Sequence, residues 1–114
     1  MESSTRQTQP AMVVLCTCAS IEVAKPLART LVEESLAACV NIVPGLISVY
    51  RWKDSLQEDS EVLLIIKTCR EIFPLLEKRI RELHPYELPE IVGVTVDSVF
   101  QQYLDWIRIN TRVL

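Results

Sequence analysis

Hydrophobic and polar residues follow two periods along the chain, and these periods predict the element order β-α-β-β-α-β. Four segments have strand character, either as apolar runs or with a two-residue period: residues 12–18, 39–52, 61–69 and 91–96. The second of these is interrupted by Pro44 and Gly45, which predict a bend or a bulge. The polar residues 53–58 are expected to connect the second strand to the third in a hairpin.

Helical spacing of apolar residues marks the two segments between these strands. Ser20 is expected to cap the first helix, whose apolar face comprises Ala24, Leu27, Ala28, Leu31 and Val32. Pro26 has no N–H to donate to Glu22, so it should bend this helix or delay its start. The second helix is expected near residues 71–83, with Pro74 in the first turn, where no helical donor is lost. Apolar positions from Val99 to Ile107 predict a short closing helix.

This order predicts an α+β fold of the ferredoxin-like, split βαβ type, with both helices on one face of a four-stranded antiparallel sheet. In residues 62–66, however, both alternating sets of side chains are apolar. Both faces of that strand should therefore be buried, yet nothing in one chain covers the second face. We expect a homo-oligomer that packs sheet against sheet.

Composition narrows the class of protein. The 114 residues suit one domain, expected to span residues 12–114 after a flexible tail at residues 1–11. The net charge of −3, without a basic run, disfavours nucleic acid and anionic membranes as partners, and no stretch is long enough for a membrane helix. The polar N-terminus lacks the apolar core of a secretory signal, so we expect four reduced cysteines and a cytoplasmic location.

The densest chemistry lies in residues 84–90, which hold the single histidine between a helix and a strand. His84 and Leu88 each precede a proline, so the loop should be stiff and non-helical. An imidazole, the Tyr86 phenol and the carboxylates of Glu87 and Glu90 suit metal capture or recognition of a small ligand. A plain structural turn is an equally good interpretation of this loop taken alone.

Six blocks of sequence occur at characteristic spacings: Val14-Leu15-Cys16-Thr17, Leu36-Ala37-Ala38-Cys39-Val40-Asn41, Tyr50-Arg51-Trp52, Lys67-Thr68, His84-Pro85-Tyr86-Glu87-Leu88-Pro89-Glu90-Ile91 and Tyr103-Leu104-Asp105-Trp106. Together they resemble the CutA divalent-cation-tolerance family. The resemblance implies a tight homotrimer in which each long hairpin extends onto a neighbour, as in the trimeric PII signalling proteins. It also implies copper or another divalent metal ion as partner, with no required cofactor, and Cys16, His84 and Glu90 as ligands. Cys18 and Pro26 fall outside the family's pattern.

Cys16 and Cys18 are two apart on a strand and should share a face. Thiol and imidazole ligands would favour copper over magnesium or calcium. Without the resemblance, we would favour both cysteines as buried small hydrophobes. An enzyme with Cys16 as nucleophile and His84 as base is disfavoured, because burial would raise the thiol pKa and no glycine-rich oxyanion loop is present.

Two functions therefore stay open: a non-enzymatic, metal-binding homotrimer, and a PII-like signalling or scaffold trimer that binds an effector or a protein in clefts between subunits. The residues expected in those clefts are Tyr50, Trp52, Lys67, Tyr86, Glu87 and Tyr103. Convergence of Lys67, Tyr86 and Glu87 on an open cleft would favour an organic ligand. Convergence of Cys16, His84 and Glu90 would favour a metal. We expect Cys16, His84 and Glu90 to converge. The reason is that we take the first and last strands to be separated in the sheet only by the third, so the end of the first strand can approach the loop before the last strand.

Overall fold

A computed structural model of the protein describes residues 10–112. Over this range the elements are β1 (Ala11–Cys18), α1 (Ile21–Glu33), β2 (Cys39–Trp52), β3 (Ser55–Cys69), α2 (Phe73–Leu83), β4 (Val92–Thr95) and α3 (Gln101–Ile109). A short 3-10 helix, Arg70–Ile72, leads into α2 and places Pro74 in its first turn, as predicted. Of the predicted tail, residues 1–9 lie outside the described range, and Ala11 already belongs to β1.

The four strands form one antiparallel sheet in the order β2-β3-β1-β4. This confirms the α+β fold with the split βαβ arrangement. The expectation that the third strand separates the first from the last is wrong, because β1 pairs directly with β4, from Met12↔Thr95 to Leu15↔Val92. β1 and β3 are the two central strands, which agrees with their nearly continuous apolar sequence.

The hairpin of β2 and β3 is longer than its sequence suggests. The predicted polar connection at residues 53–58 is wrong, since only Lys53 and Asp54 form the turn and Trp52 already pairs with Ser55. Both turn residues have positive φ, as a two-residue turn requires, although Asn-Gly would be the usual sequence signal. At Pro44-Gly45 the register shifts between Val43 and Leu46, which confirms the predicted bulge.

The N-terminus of α1 corrects one expectation. Ser20 caps the helix, with its hydroxyl accepting from the Val23 N–H at 3.3 Å, as predicted. Helical structure then begins directly at Ile21, so Pro26 does not delay it. Glu22 and Pro26 are both exposed, so water can reach the carbonyl that Pro26 leaves without a donor. The cost of this proline in the helix is thereby reduced.

The core lies between the sheet and the three helices. Val14, Cys16, Leu64 and Ile66 are fully buried on the sheet face that α1 and α2 cover. The helices contribute Ala24, Leu27, Leu31, Leu76, Ile80, Leu104 and Ile107. None of the helices within residues 10–112 is long and apolar enough to cross a membrane.

The opposite sheet face stays partly open. Val13, Leu15, Leu63 and Ile65 alternate with fully buried neighbours and are only half-buried. On the N-terminal side of Val62, β3 pairs only with β2. Residues 46–61 therefore form a projecting two-stranded ribbon, here called the hairpin arm. The arm exposes Ile47, Val49 and Leu56 by 61–71%. One chain thus leaves apolar side chains uncovered at two places, on this sheet face and on the arm.

Candidate functional site

The loop that follows α2 places His84 against the end of β1. Pro85 excludes the helical conformation for the residue before it, so His84 is extended (φ −77°, ψ 134°) and α2 ends at Leu83. The His84 N–H still donates to the Ile80 carbonyl at 2.8 Å. The side chain is thereby directed into the protein, where it is only 7% exposed.

Both ring nitrogens of His84 are hydrogen-bonded. Nε2 lies 2.8 Å from the Thr17 carbonyl oxygen, and Nδ1 lies 3.1 Å from the Tyr86 backbone nitrogen. Since a carbonyl can only accept and a backbone N–H only donates, the ring is assigned as neutral with its proton on Nε2. His84 therefore ties the loop to β1 and leaves neither nitrogen free in this arrangement.

Two thiols lie beside this ring. The Sγ atoms of Cys16 and Cys18 and a ring nitrogen of His84 all lie within 4.8 Å of one another, and all three side chains are buried. Cys18 Sγ is 3.8 Å from His84 Nε2. The two-residue spacing directs both cysteines to one face of the sheet, as predicted, and this face is the helix side. Among the described residues, no other His, Cys, Asp or Glu joins this group.

The two thiols differ in proton affinity. A hydrogen bond with Cys18, together with burial, raises the pKa of the Cys16 thiol well above its usual range. The hydrogen bond from Cys16 lowers the pKa of the Cys18 thiol, against the opposing effect of burial. Cys18 is therefore the first of the pair to ionise. A fully buried thiol with a raised pKa is a poor nucleophile, which argues against Cys16 as a catalytic residue.

Outside this cluster, an open cleft lies between the hairpin arm and residues 84–90, with a volume of about 770 Å³. Its lining residues are Thr17, Ser48, Val49, Tyr50, Arg51, Trp52, Glu61, Pro85, Tyr86, Glu87, Leu88 and Glu90. Four of the six residues expected in a cleft are among them: Tyr50, Trp52, Tyr86 and Glu87. The Tyr86 hydroxyl donates to Glu61 Oε2 at 2.7 Å and so connects the loop to β3.

Three predicted site residues lie elsewhere. Glu90 lines the cleft and is exposed, outside the Cys16, Cys18 and His84 group. Lys67 donates to Asn41 Oδ1 at 2.5 Å on the sheet and does not line the cleft. Tyr103 lies on α3, where its ring stacks on Trp106 at a centroid distance of 5.5 Å.

Comparison with known proteins decides the family. Residues 12–110 match the family model described as CutA1 divalent ion tolerance protein. The chain belongs to the CutA family.

CutA proteins of known sequence and structure resemble this chain closely. The divalent-cation tolerance protein CutA of Thermus thermophilus is 54% identical over 99 residues, which cover 87% of this chain and 96% of that protein. The chloroplastic CutA of Arabidopsis thaliana is 43% identical over 112 residues, but this chain spans only 61% of its length. The crystal structure of CutA1 from Oryza sativa superposes with a TM-score of 0.89 at 40% identity, over 93% of this chain and 97% of that one.

The ligand set implied by the CutA resemblance fits this structure only in part. Cys16 and His84 lie together, but Glu90 is replaced in the cluster by Cys18. No buried side-chain nitrogen or oxygen in the described residues lacks a hydrogen-bond partner, so no such atom is left free for an ion. The sulfur atoms are therefore the ligands this cluster offers most readily.

Sequence reasoning missed two contributors to the site. The Thr17 carbonyl accepts from His84, and a backbone acceptor gives no signal in the sequence. The sequence predicts Glu61 only as the start of a strand, although this residue is nearly buried and its carboxylate accepts from Tyr86. An acidic residue directly before an apolar run was the one available signal for it.

Proposed function

We propose that this CutA protein is a homotrimer that binds copper or another divalent cation and acts in cation tolerance without catalysing a reaction. The observation that carries the metal assignment is the convergence of Cys16, Cys18 and His84 within 4.8 Å. Thiol and imidazole ligands favour copper and zinc over magnesium and calcium. The relatives' names, which refer to divalent-cation tolerance, agree with this assignment.

In this proposal Cys16 and His84 hold the ion. His84 Nε2 must first give up its hydrogen bond to the Thr17 carbonyl, and Glu90 reaches the cluster only if residues 84–90 move. Both changes cost free energy, so we expect modest affinity for a divalent ion. The four free cysteines agree with a reducing compartment, and we propose the cytoplasm.

The metal assignment is tested by titrating Cu(II) and Zn(II) into the parent protein and two loop variants. His84→Ala should weaken copper binding by more than Glu87→Ala, because Glu87 is exposed and lies outside the cluster. If both variants bind copper like the parent, the metal assignment is wrong.

The trimer is supported by the open sheet face and the hairpin arm, and its threefold symmetry follows the family resemblance. Light scattering at micromolar concentration should give three times the 13.0 kDa mass of one chain. Ile65→Asp, in the middle of the open face, should dissociate the assembly, whereas Lys78→Asp on the exposed surface of α2 should not. A monomer mass for the parent would refute the proposal.

The second candidate function is that of a PII-like trimer whose clefts bind a small effector or a protein. The cleft beside the hairpin arm favours it, since Tyr86 and Glu87 both face a volume of about 770 Å³. Lys67, the third residue expected there, lies outside it. This function replaces metal binding as the preferred proposal if His84→Ala and Glu87→Ala both bind copper like the parent.

A further inference from the structure

We propose that Cys16 and Cys18 form a two-sulfur site for the soft monovalent cation Cu(I). His84, which helps to hold the divalent ion in the proposed function, is a neighbour of the bound Cu(I) and not its ligand. The inference rests on the proposed metal-binding function in placing copper at this cluster. It goes further by naming the oxidation state and by adding Cys18, which the CutA resemblance does not include.

The geometry of the sulfur atoms supports this assignment. Two metal–thiolate bonds of about 2.3 Å each span about 4.6 Å when they point in opposite directions. The ligand atoms of the cluster lie within 4.8 Å of one another, so one small ion can contact both sulfurs with little movement of β1. Thiolates select Cu(I) among biological cations, whereas structural zinc requires four ligands that the described residues do not supply here.

The surroundings of His84 explain why the ring is left out. Nε2 carries the proton and donates it to Thr17, while Nδ1 accepts from the Tyr86 N–H. Ligation through Nε2 would require the proton to move to Nδ1, where it would face that N–H. The Nε2–H group instead lies 3.8 Å from Cys18 Sγ and can stabilise negative charge on this sulfur.

Binding exchanges two S–H bonds for two copper–sulfur bonds and releases two protons to solvent. Copper enters and stays as Cu(I), so no electron is transferred. Cys18 is the last residue of β1 and directly precedes the exposed Ala19, so the inference places the entry of Cu(I) at this end of β1.

The test is a competition titration of the reduced, oxygen-free protein with the Cu(I)–bicinchoninate complex. We expect one Cu(I) per chain for the parent and for the control variant Cys39→Ser, whose thiol lies on β2 outside the cluster. Cys16→Ser and Cys18→Ser should each lose more than about 100-fold in affinity, because even outer-shell partners of a metal typically contribute 10–100-fold. Cu(I) affinity of Cys18→Ser equal to that of the parent would overturn the inference.

Two further measurements keep the result interpretable. If Cys18→Ser does not fold, Cys18→Ala replaces it. Independently, X-ray absorption of the Cu(I)-loaded parent must show two sulfur neighbours of the copper and no nitrogen neighbour. A nitrogen neighbour would overturn the inference. Titration of Cys18→Ser with Cu(II) separates the two proposals. If Cys18→Ser loses Cu(I) binding and keeps the Cu(II) binding of the parent, both the proposed function and the inference are supported. If the parent binds Cu(II) but not Cu(I), only the inference is refuted.

Discussion

Replacement of His84 tests two hydrogen bonds, one that ties residues 84–90 to β1 and one within these residues. His84→Ala removes the donor to the Thr17 carbonyl and the acceptor of the Tyr86 N–H. A buried backbone group left without a partner, such as the Thr17 carbonyl, costs about 1–3 kcal/mol, and the part-buried Tyr86 N–H costs less, so the protein should be destabilised by about 1–4 kcal/mol. Asn retains an acceptor near the position of Nδ1, and Gln retains a donor near Nε2. His84→Asn and His84→Gln should therefore each recover part of the loss, and Gln should recover more because it keeps the buried hydrogen bond.

Guanidinium chloride unfolding measures this difference in free energy. All variants must be compared at one protein concentration, because the apparent stability of the proposed homotrimer would depend on it. Amide hydrogen exchange at Tyr86 gives the local readout, and protection there should be retained in His84→Asn and reduced in His84→Gln. The reasoning fails if His84→Ala is within about 0.5 kcal/mol of the parent, the range of ordinary surface substitutions. It fails equally if Asn and Gln are both as destabilising as Ala.

Three further substitutions test other parts of the fold. Gly93→Ala should lower the free energy of chemical unfolding by about 1–3 kcal/mol, because the new Cβ would lie 2.9 Å from Met12 Sδ and 3.1 Å from Phe73 Cε1. An unchanged unfolding midpoint would contradict this packing. Thr68→Val should lower the free energy of unfolding by about 1–3 kcal/mol in the same assay, since the buried hydroxyl donates to the Leu36 carbonyl at 2.8 Å. Thr68→Ser is the control, because it keeps the hydroxyl donor. Burial and the hydrogen bond to Glu61 raise the pKa of Tyr86, so stability is fully present below the ordinary tyrosine pKa of 10.0 and declines as pH rises above it. Tyr86→Phe should lessen that alkaline decline, and an identical pH profile in both proteins would exclude this cause.

Much of the fold could be predicted because local patterns and tertiary packing agree. The buried side chains of β1 and β3 are those that the apolar sequence marks, and Ser20 and Pro74 lie where helix-terminus chemistry places them. The sequence predicts too short a hairpin arm, because residues 55–60 are mostly polar and resemble a loop although they form an exposed ribbon. Nothing in Lys53-Asp54 reveals that both residues adopt positive φ.

The site was harder to predict, since it depends on contacts between distant segments. The spacing of Cys16 and Cys18 predicts a shared face, but the hydrogen bonds that orient His84 involve backbone atoms of Thr17 and Tyr86. The family resemblance supplied Glu90, which this structure places in the cleft instead. Side-chain chemistry could thus be read from the sequence, whereas the availability of each ligand atom could not.

The position of β1 in the sheet has a consequence for the order of folding during synthesis. Residues 11–18 leave the ribosome before their partners, which are residues 62–69 and 92–95. The hairpin of β2 and β3 closes on itself through local contacts and can form while β1 is still unpaired. A nascent chain therefore carries an apolar first strand and an apolar arm before either is covered. In the proposed homotrimer, subunit assembly follows the pairing of β4, so the nascent chain exposes the most apolar surface just before β4 is made.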